Sequence, residues 1–244
     1  MVKNNIYKII LEIAIIFFII TFSLELLILF RPFYYFNIEY MRIPQATNYT
    51  YSEIKQGFDE LMDFLVYYKE FKMGIFVCSN EAKAHFYDCR NLFTLNFIVL
   101  MISIVCIVTI YILNKKHLIN ITYKHLSVGI SSIFTFIIVG IISLIWSLID
   151  FISFFVFLHK IFFPGKTNFM FTYDDTIIYI LPTELWINYG ILLITILLIF
   201  NIIIIIHFVN VQKKKKEKTN SIWFFPIKKK ILFLVSSFFN ILLR

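Results

Sequence analysis

The chain has 244 residues, of which 60% are hydrophobic and 19% aromatic, including 30 Phe, and it carries a formal charge of +8. A soluble domain is about half apolar and a quarter charged, so much of this chain belongs in lipid, and with 6 glycines and 5 prolines there is no material for a collagenous, linker-rich or phosphate-cradling glycine loop. The positive surplus sits in short runs beside apolar segments, a pattern of membrane topology that argues against nucleic acid as a partner.

Residues 9–30 form an apolar run long enough to cross a hydrocarbon core, for which about 20 helical residues suffice. Lys3 and Lys8 precede it, no small-residue cleavage site follows it, and it exceeds the apolar region of a signal peptide, so a retained first transmembrane helix is expected. Arg31-Pro32 ends it. Residues 31–92 are polar and nearly balanced in charge, and Tyr34, Tyr35, Tyr40, Tyr49 and Tyr51 suit a membrane interface. Within this extracytoplasmic domain the spacing of Ile54, Phe58, Leu61, Leu65 and Tyr68 predicts an amphipathic helix over 52–68, and a second is expected over 80–92. About 60 residues make a marginal domain alone, so this one should rest on the membrane helices.

Residues 93–113 give the second transmembrane helix. The loop 114–125 carries Lys115, Lys116, His117, Lys124 and His125 without an acid, which places it in the cytoplasm. Residues 126–158 form the third helix, long for a crossing, with Asp150 near its outer end. The loop 159–185 is extracytoplasmic, residues 186–209 form the fourth helix, and 210–244 is a cytoplasmic basic tail. The lysine run from Lys213 to Lys218 can hold anionic lipid head groups, and the apolar stretch after it is too short to span, so a helix lying in the interface is expected there. Both termini are then cytoplasmic.

Three cysteines, Cys78, Cys89 and Cys106, are too few for a disulfide framework. Cys78 and Cys89 read equally as a pair in an exported segment or as two small buried side chains. Of the five histidines, His117, His125 and His207 fall on the cytoplasmic side, and His85 and His159 on the outer side among carboxylates. Glu81, His85 and Asp88 stand at i, i+4 and i+7, stacked on one side of a helix that Ser79 or Asn80 would cap. His159 lies where an apolar span meets its loop, at the depth of a lipid ester. Two histidines in different segments form the simplest acid–base pair a sequence offers; solvated, capping histidines on a hydrated helix face are the plainer alternative.

Glu81, Asp88 and Asp175 with both histidines could also bind a divalent metal, but no HExxH or clustered Cys/His spacing supports one, and no cofactor is expected. There is no G-x-S-x-G, and the serines of the spans have no local base. Glu25 and Asp150 are intramembrane acids, and each reads either as functional or as snorkelling to water.

The order of span, outer domain ending in EAKAHFYDCRNLF, span, basic loop, span, FLHKIFFPGK and span resembles the lipoprotein intramolecular transacylase family of Gram-positive bacteria, over about residues 5–210. The resemblance implies an acyltransferase that moves the sn-2 acyl chain of a diacylglyceryl lipoprotein to the α-amino group of its N-terminal cysteine, leaving a lyso-form product. It implies His85 and His159 as functional residues, with Glu81, Asp88 and Asp175 in support and Phe163, Pro164, Gly165 and Phe169 lining the substrate. The partners would be diacylglyceryl-modified lipoproteins and membrane phospholipid. It also implies a β-containing outer domain, so the expected fold is an α-helical polytopic membrane protein with four transmembrane helices and a small extracytoplasmic α/β domain between the first and second. The chain departs from the family pattern at Phe169, where a tryptophan is usual, and at Thr172-Tyr173, where an Asp-Pro is usual, and Asp175 aligns to a later aspartate only after a one-residue deletion. Two other readings stay open here: a non-catalytic transporter or accessory subunit, and a metal-dependent lipid hydrolase.

Overall fold

In lipid a helix pairs every backbone N–H and C=O within one segment, and the long apolar runs of this chain are helical throughout. The computed structural model describes residues 2–121 and 127–203, with residues 206 and 210. In chain order the helices are α1 (Val2–Leu29), α2 (Arg31–Tyr40), α3 (Ile43–Thr47), α4 (Tyr51–Tyr67), α5 (Asn80–Lys115), α6 (Ser127–Ile149) and α7 (Phe151–Phe162), followed by a 3₁₀ turn (Thr176–Ile180) and α8 (Thr183–Ile203). Three helices, within α1, α5 and α8, are long and apolar enough to cross a membrane, and α6, with 23 residues, has the length of a crossing. Residues 201–244 form a second unit, and His125, His207, the lysine run 213–218 and the expected interfacial helix lie outside the described residues.

The outer segment is helical, and this corrects the α/β expectation: no strand occurs between residues 31 and 92, nor anywhere among the described residues. The physical reason is visible in its pattern. Tyr34, Asn37 and Ile38 of α2 are buried at helical spacing, as are Ile54, Phe58, Leu61 and Leu65 of α4, and the short alternation Phe71-Lys72-Met73-Gly74-Ile75 turns at Gly74, whose φ is +60. Prolines start α2 and α3 at positions where a helix needs no N–H. A reciprocal capping box between Thr50 and Glu53 starts α4. Tyr34 stacks on Phe58 with ring centres 3.6 Å apart and donates its hydroxyl to the carbonyl of Ile180, 2.7 Å away. That bond and the buried Ile177, Ile180 and Leu185 fasten the loop after α7 to the outer helices.

Two departures from the expected elements bear on the site. The helix foreseen over 80–92 does not stop before the second span; α5 runs on without a break for 36 residues, about 54 Å at 1.5 Å per residue. A hydrocarbon core of about 30 Å cannot contain it, so its polar first turns, with His85, stand beyond the apolar crossing. The long third helix is interrupted at Asp150, whose carboxylate accepts from the Ser153 N–H at 3.0 Å and the Ser153 hydroxyl at 2.6 Å. Asp150 is therefore the N-cap of α7, which gives this acid a structural role. Glu25 in α1 is also held, accepting from the Asn96 side chain at 2.8 Å.

Candidate active site

Ser79 caps α5 by accepting from the Ala82 N–H at 3.1 Å, and its own N–H donates to Asp175 at 2.5 Å. The other Asp175 oxygen accepts from the N–H and hydroxyl of Thr172, at 2.7 and 3.0 Å. Asp175 is thus a buried clamp between the loop after α7 and the start of α5. Burial works against its charge, but these donors hold its carboxyl below the usual aspartate range.

Six residues into α5, His85 points into an aromatic pocket. Its ring centre is 5.4 Å from that of His159, which stands in the last turn of α7. Phe163, Phe169 and Phe171 surround His85 at 5.0, 6.3 and 5.7 Å, and Phe155 and Phe169 lie 3.8 and 4.6 Å from His159. Two histidines 74 positions apart in sequence therefore share one apolar chamber. His85 is only 6% exposed. Burial, and then the neighbouring His159, push its imidazole down to about 4, with Asp88 opposing and Lys166 reinforcing the shift. Burial likewise lowers His159, against the bond to Phe155. Both rings are neutral at physiological pH.

Their nitrogens are not equivalent. Nδ1 of His159 lies 2.8 Å from the carbonyl of Phe155; a carbonyl can only accept, so this bond puts the proton on Nδ1 and leaves the lone pair on Nε2. Nε2 of His85 lies 3.4 Å from Sγ of Cys89, and its Nδ1 is buried without a hydrogen-bond partner among the described residues.

The acids singled out from the sequence do not touch His85. Glu81 is exposed at the helix start, with no described hydrogen bond. Asp88 binds the Lys166 ammonium and the Asn168 amide, the latter at 2.9 Å. Burial opposes its charge, while Lys166 and Asn168 hold its carboxyl below the usual range. Its place is structural as well as electrostatic: it draws the loop of residues 163–169 over the two histidines. Pro164 and Gly165 form the exposed turn of that loop, with Gly165 in the left-handed region at φ +76 and the Lys166 N–H donating to the Phe163 carbonyl at 3.1 Å. Phe163 and Phe169 turn inward and are buried.

Sequence reasoning assigned no part in the site to Cys89, Phe155, Asn168 or Phe171. Cys89 and Phe155 carried a signal, being one helical turn after His85 and one before His159; Asn168 and Phe171 depend on how the loop folds back. Cys78 and Cys89 are both free thiols, so the disulfide alternative does not hold. No group of three His, Cys, Asp or Glu able to hold a metal occurs among the described residues. His117 lies just past the end of α5, whose stretch from His85 to Lys115 is about 45 Å long.

Residues 9–186 match the family model described as lipoprotein intramolecular transacylase Lit. No curated protein sequence matches the chain. Among solved structures, the membrane integral lipoprotein intramolecular transacylase Lit from Bacillus cereus is similar with a TM-score of 0.76 at 23% identity, over 88% of this chain and 98% of that one. The same Bacillus cereus protein with an H85R mutation gives 0.71 at 22% identity over 88% and 95%, and with an H85A mutation 0.71 at 22% identity over 88% and 96%. These structures carry the fold; the family match carries the family and its activity.

Proposed function

The chain belongs to the lipoprotein intramolecular transacylase family, multi-pass membrane acyltransferases whose substrate is a lipoprotein, and from that premise we propose that His85 and His159 together carry out the acyl transfer. The transporter and hydrolase readings fall away with family membership. The reaction is an O-to-N shift: the sn-2 acyl chain leaves the glyceryl oxygen of the diacylglyceryl group and joins the α-amino group of the N-terminal cysteine.

The substrate holds nucleophile and electrophile in one molecule, so the enzyme needs no nucleophile of its own. What it must supply is proximity, a path for one proton, and support for the oxyanion. The amine attacks as its free base and gives up one proton as the N–C bond forms, and the departing glyceryl oxygen must gain one. Two neutral imidazoles with ring centres 5.4 Å apart are suited to that traffic, and this pairing is the observation that carries the reading. The phenylalanine walls offer an acyl chain an apolar seat and keep out the water that would turn transfer into hydrolysis.

Asp88, Lys166 and Asn168 hold the loop in place, Asp175 fixes the start of α5, and Phe163, Pro164, Gly165 and Phe169 form the cover that the substrate meets. The site lies at the extracytoplasmic face with both termini cytoplasmic, an orientation supported by the lysines flanking the other ends of the helices. Membrane phospholipid is a neighbour of the site at that depth.

Mass spectrometry of a purified diacylglyceryl lipopeptide tests this. The native protein should yield the N-acyl lyso-form, and His85→Ala and His159→Ala should each lose about 10²- to 10⁴-fold in rate, the usual scale of a general acid–base group. Full conversion by the double alanine variant would overturn the assignment.

A further inference from the structure

The buried Nδ1 of His85 has no hydrogen-bond partner among the described residues, although a buried polar atom left unsatisfied is costly and rare in a folded protein. Its opposite nitrogen faces Sγ of Cys89 at 3.4 Å, one helical turn on. Of the atoms in that contact the imidazole lone pair is a strong acceptor, while sulfur is a weak one. The favoured arrangement is therefore a thiol S–H donating to Nε2. Burial, the first cause, pushes the Cys89 thiol up to about 12, so the thiol keeps its proton to donate. An imidazole that accepts at Nε2 while neutral carries its hydrogen on Nδ1.

We propose that Cys89 is a positioning residue that fixes His85 as its Nδ1–H tautomer, making His85 the neutral hydrogen-bond donor to the oxyanion and His159 the base. The inference rests on both histidines taking part in the transfer, and it divides the work between them. His159 already donates Nδ1–H to Phe155, so its Nε2 lone pair takes a proton from the attacking amine. The N–C bond forms, and the ester carbonyl oxygen becomes the oxyanion, which accepts a hydrogen bond from Nδ1–H of His85. When the tetrahedral centre collapses, the C–O bond to glycerol breaks and His159 returns the same proton to the glyceryl oxygen. One proton makes the round trip, both rings end neutral, and no group outside the substrate is consumed. His85 never releases its proton, which as a neutral imidazole it would do only to form an imidazolate. The unpartnered Nδ1 is in this account reserved for the substrate, reached when Phe163 or Phe169, packed on the ring, swings aside.

Nitrogen-15 shifts of the His85 imidazole distinguish the tautomers directly in the full chain in detergent. The native protein should show the Nδ1–H form. Cys89→Ala should lose that preference and slow kcat about tenfold, the size of one misdirected hydrogen bond, with KM for the lipopeptide unchanged. Cys89→Ser, which restores a donor, should recover part of both signals. An Nε2–H ring in the native protein would overturn the proposal, as would a Cys89→Ala variant with native tautomer and native kcat. A separate outcome, the expected tautomer together with full activity in His85→Ala, would instead sink the catalytic role of His85 and leave the Cys89 contact standing.

Discussion

Arg31 and His85 sit in two polar clusters that differ in how their hydrogen-bonding atoms are spent. Arg31 reaches Asp59 at 3.1 Å and Asp63 at 2.6 Å, Lys55 and Tyr35 each meet Asp59 at 2.5 Å, and Lys69 meets Asp63 at 2.7 Å. Every charge there has an opposite neighbour. Around His85 the walls are rings, the carboxylates are turned to the loop, and Nδ1 is open. A closed network spends its polar atoms on holding the end of α1 and the start of α2 to α4. An open one holds capacity for a substrate and accepts the cost of burial, which is the usual signature of a site arranged for chemistry.

The comparison breaks most sharply if the two clusters are exchanged in their effects. His85→Ala and His159→Ala should remove nearly all lyso-form product while the proteins remain folded in detergent. Arg31→Gln should do the reverse, lowering stability by about 1–2 kcal/mol, since partly exposed ion pairs are modest even in a network, with turnover close to native. Thermal unfolding and lipopeptide conversion measured on the same three preparations would check both directions. An inactive yet stable Arg31→Gln would mean that the outer cluster also serves the reaction. His117→Ala, remote along α5, serves as the neutral control.

A smaller effect sharpens the border of the site. Asp88 acts on the loop and not on His85 by hydrogen bond, so Asp88→Asn and Asn168→Ala should each lower turnover about tenfold, the scale of a charge-assisted bond of about 1.5 kcal/mol. Because the two share one contact, the double variant should lose little more than either single one. Additive losses would separate them. Phe169→Ala, removing a wall common to both histidines, should raise KM more than it lowers kcat.

Much of this was legible in residue order. The apolar lengths led to four expected spans, of which α1, α5 and α8 are long and apolar enough to cross, the Ile54-Phe58-Leu61-Leu65 spacing gave α4, and His85 and His159, both expected on the outer side, lie beside one another. The α/β reading of the outer segment failed because it came from likeness and not from period: the buried Tyr34, Asn37 and Ile38 already spelled a helix. The Glu81-His85-Asp88 spacing singled out a histidine that packs beside His159, but not the groups that surround it. Helical stacking says that side chains are neighbours on a surface, not that they bond, and Lys166 and Asn168 compete for Asp88 from 78 and 80 positions away. The break at Asp150 had a local signal too, an aspartate three residues before Ser153, hidden by the apolar residues on both sides.

The smallest expected effect is a pH dependence that tells the two clusters apart by window. His85 is held at about 4 against an ordinary 6.5, so between those values an unfolded chain binds a proton there that the folded chain refuses. Stability therefore rises with pH across this window. The contribution of His85 is complete above about 6.5 and is lost as pH falls toward about 4; His159, lowered in the same direction, adds to the slope. Asp63 is lowered by Lys69 first and Arg31 next, and Asp59 is lowered by Lys55, Tyr35 and Arg31 against its burial. Their share is present above the ordinary aspartate value of 3.8 and is lost only below it. The melting temperature in detergent should thus fall by a few degrees between pH 6.5 and 4 in the native protein. In His85→Gln, where no proton can be taken up, that slope should flatten, whatever the variant's absolute stability. In Arg31→Gln the slope across this window should persist, and its stability deficit should shrink only in more acid solution, where Asp59 and Asp63 take up protons. Equal slopes in native protein and His85→Gln would show that the buried imidazole is not what resists acid, and would remove the electrostatic contrast between the open pocket and the closed network.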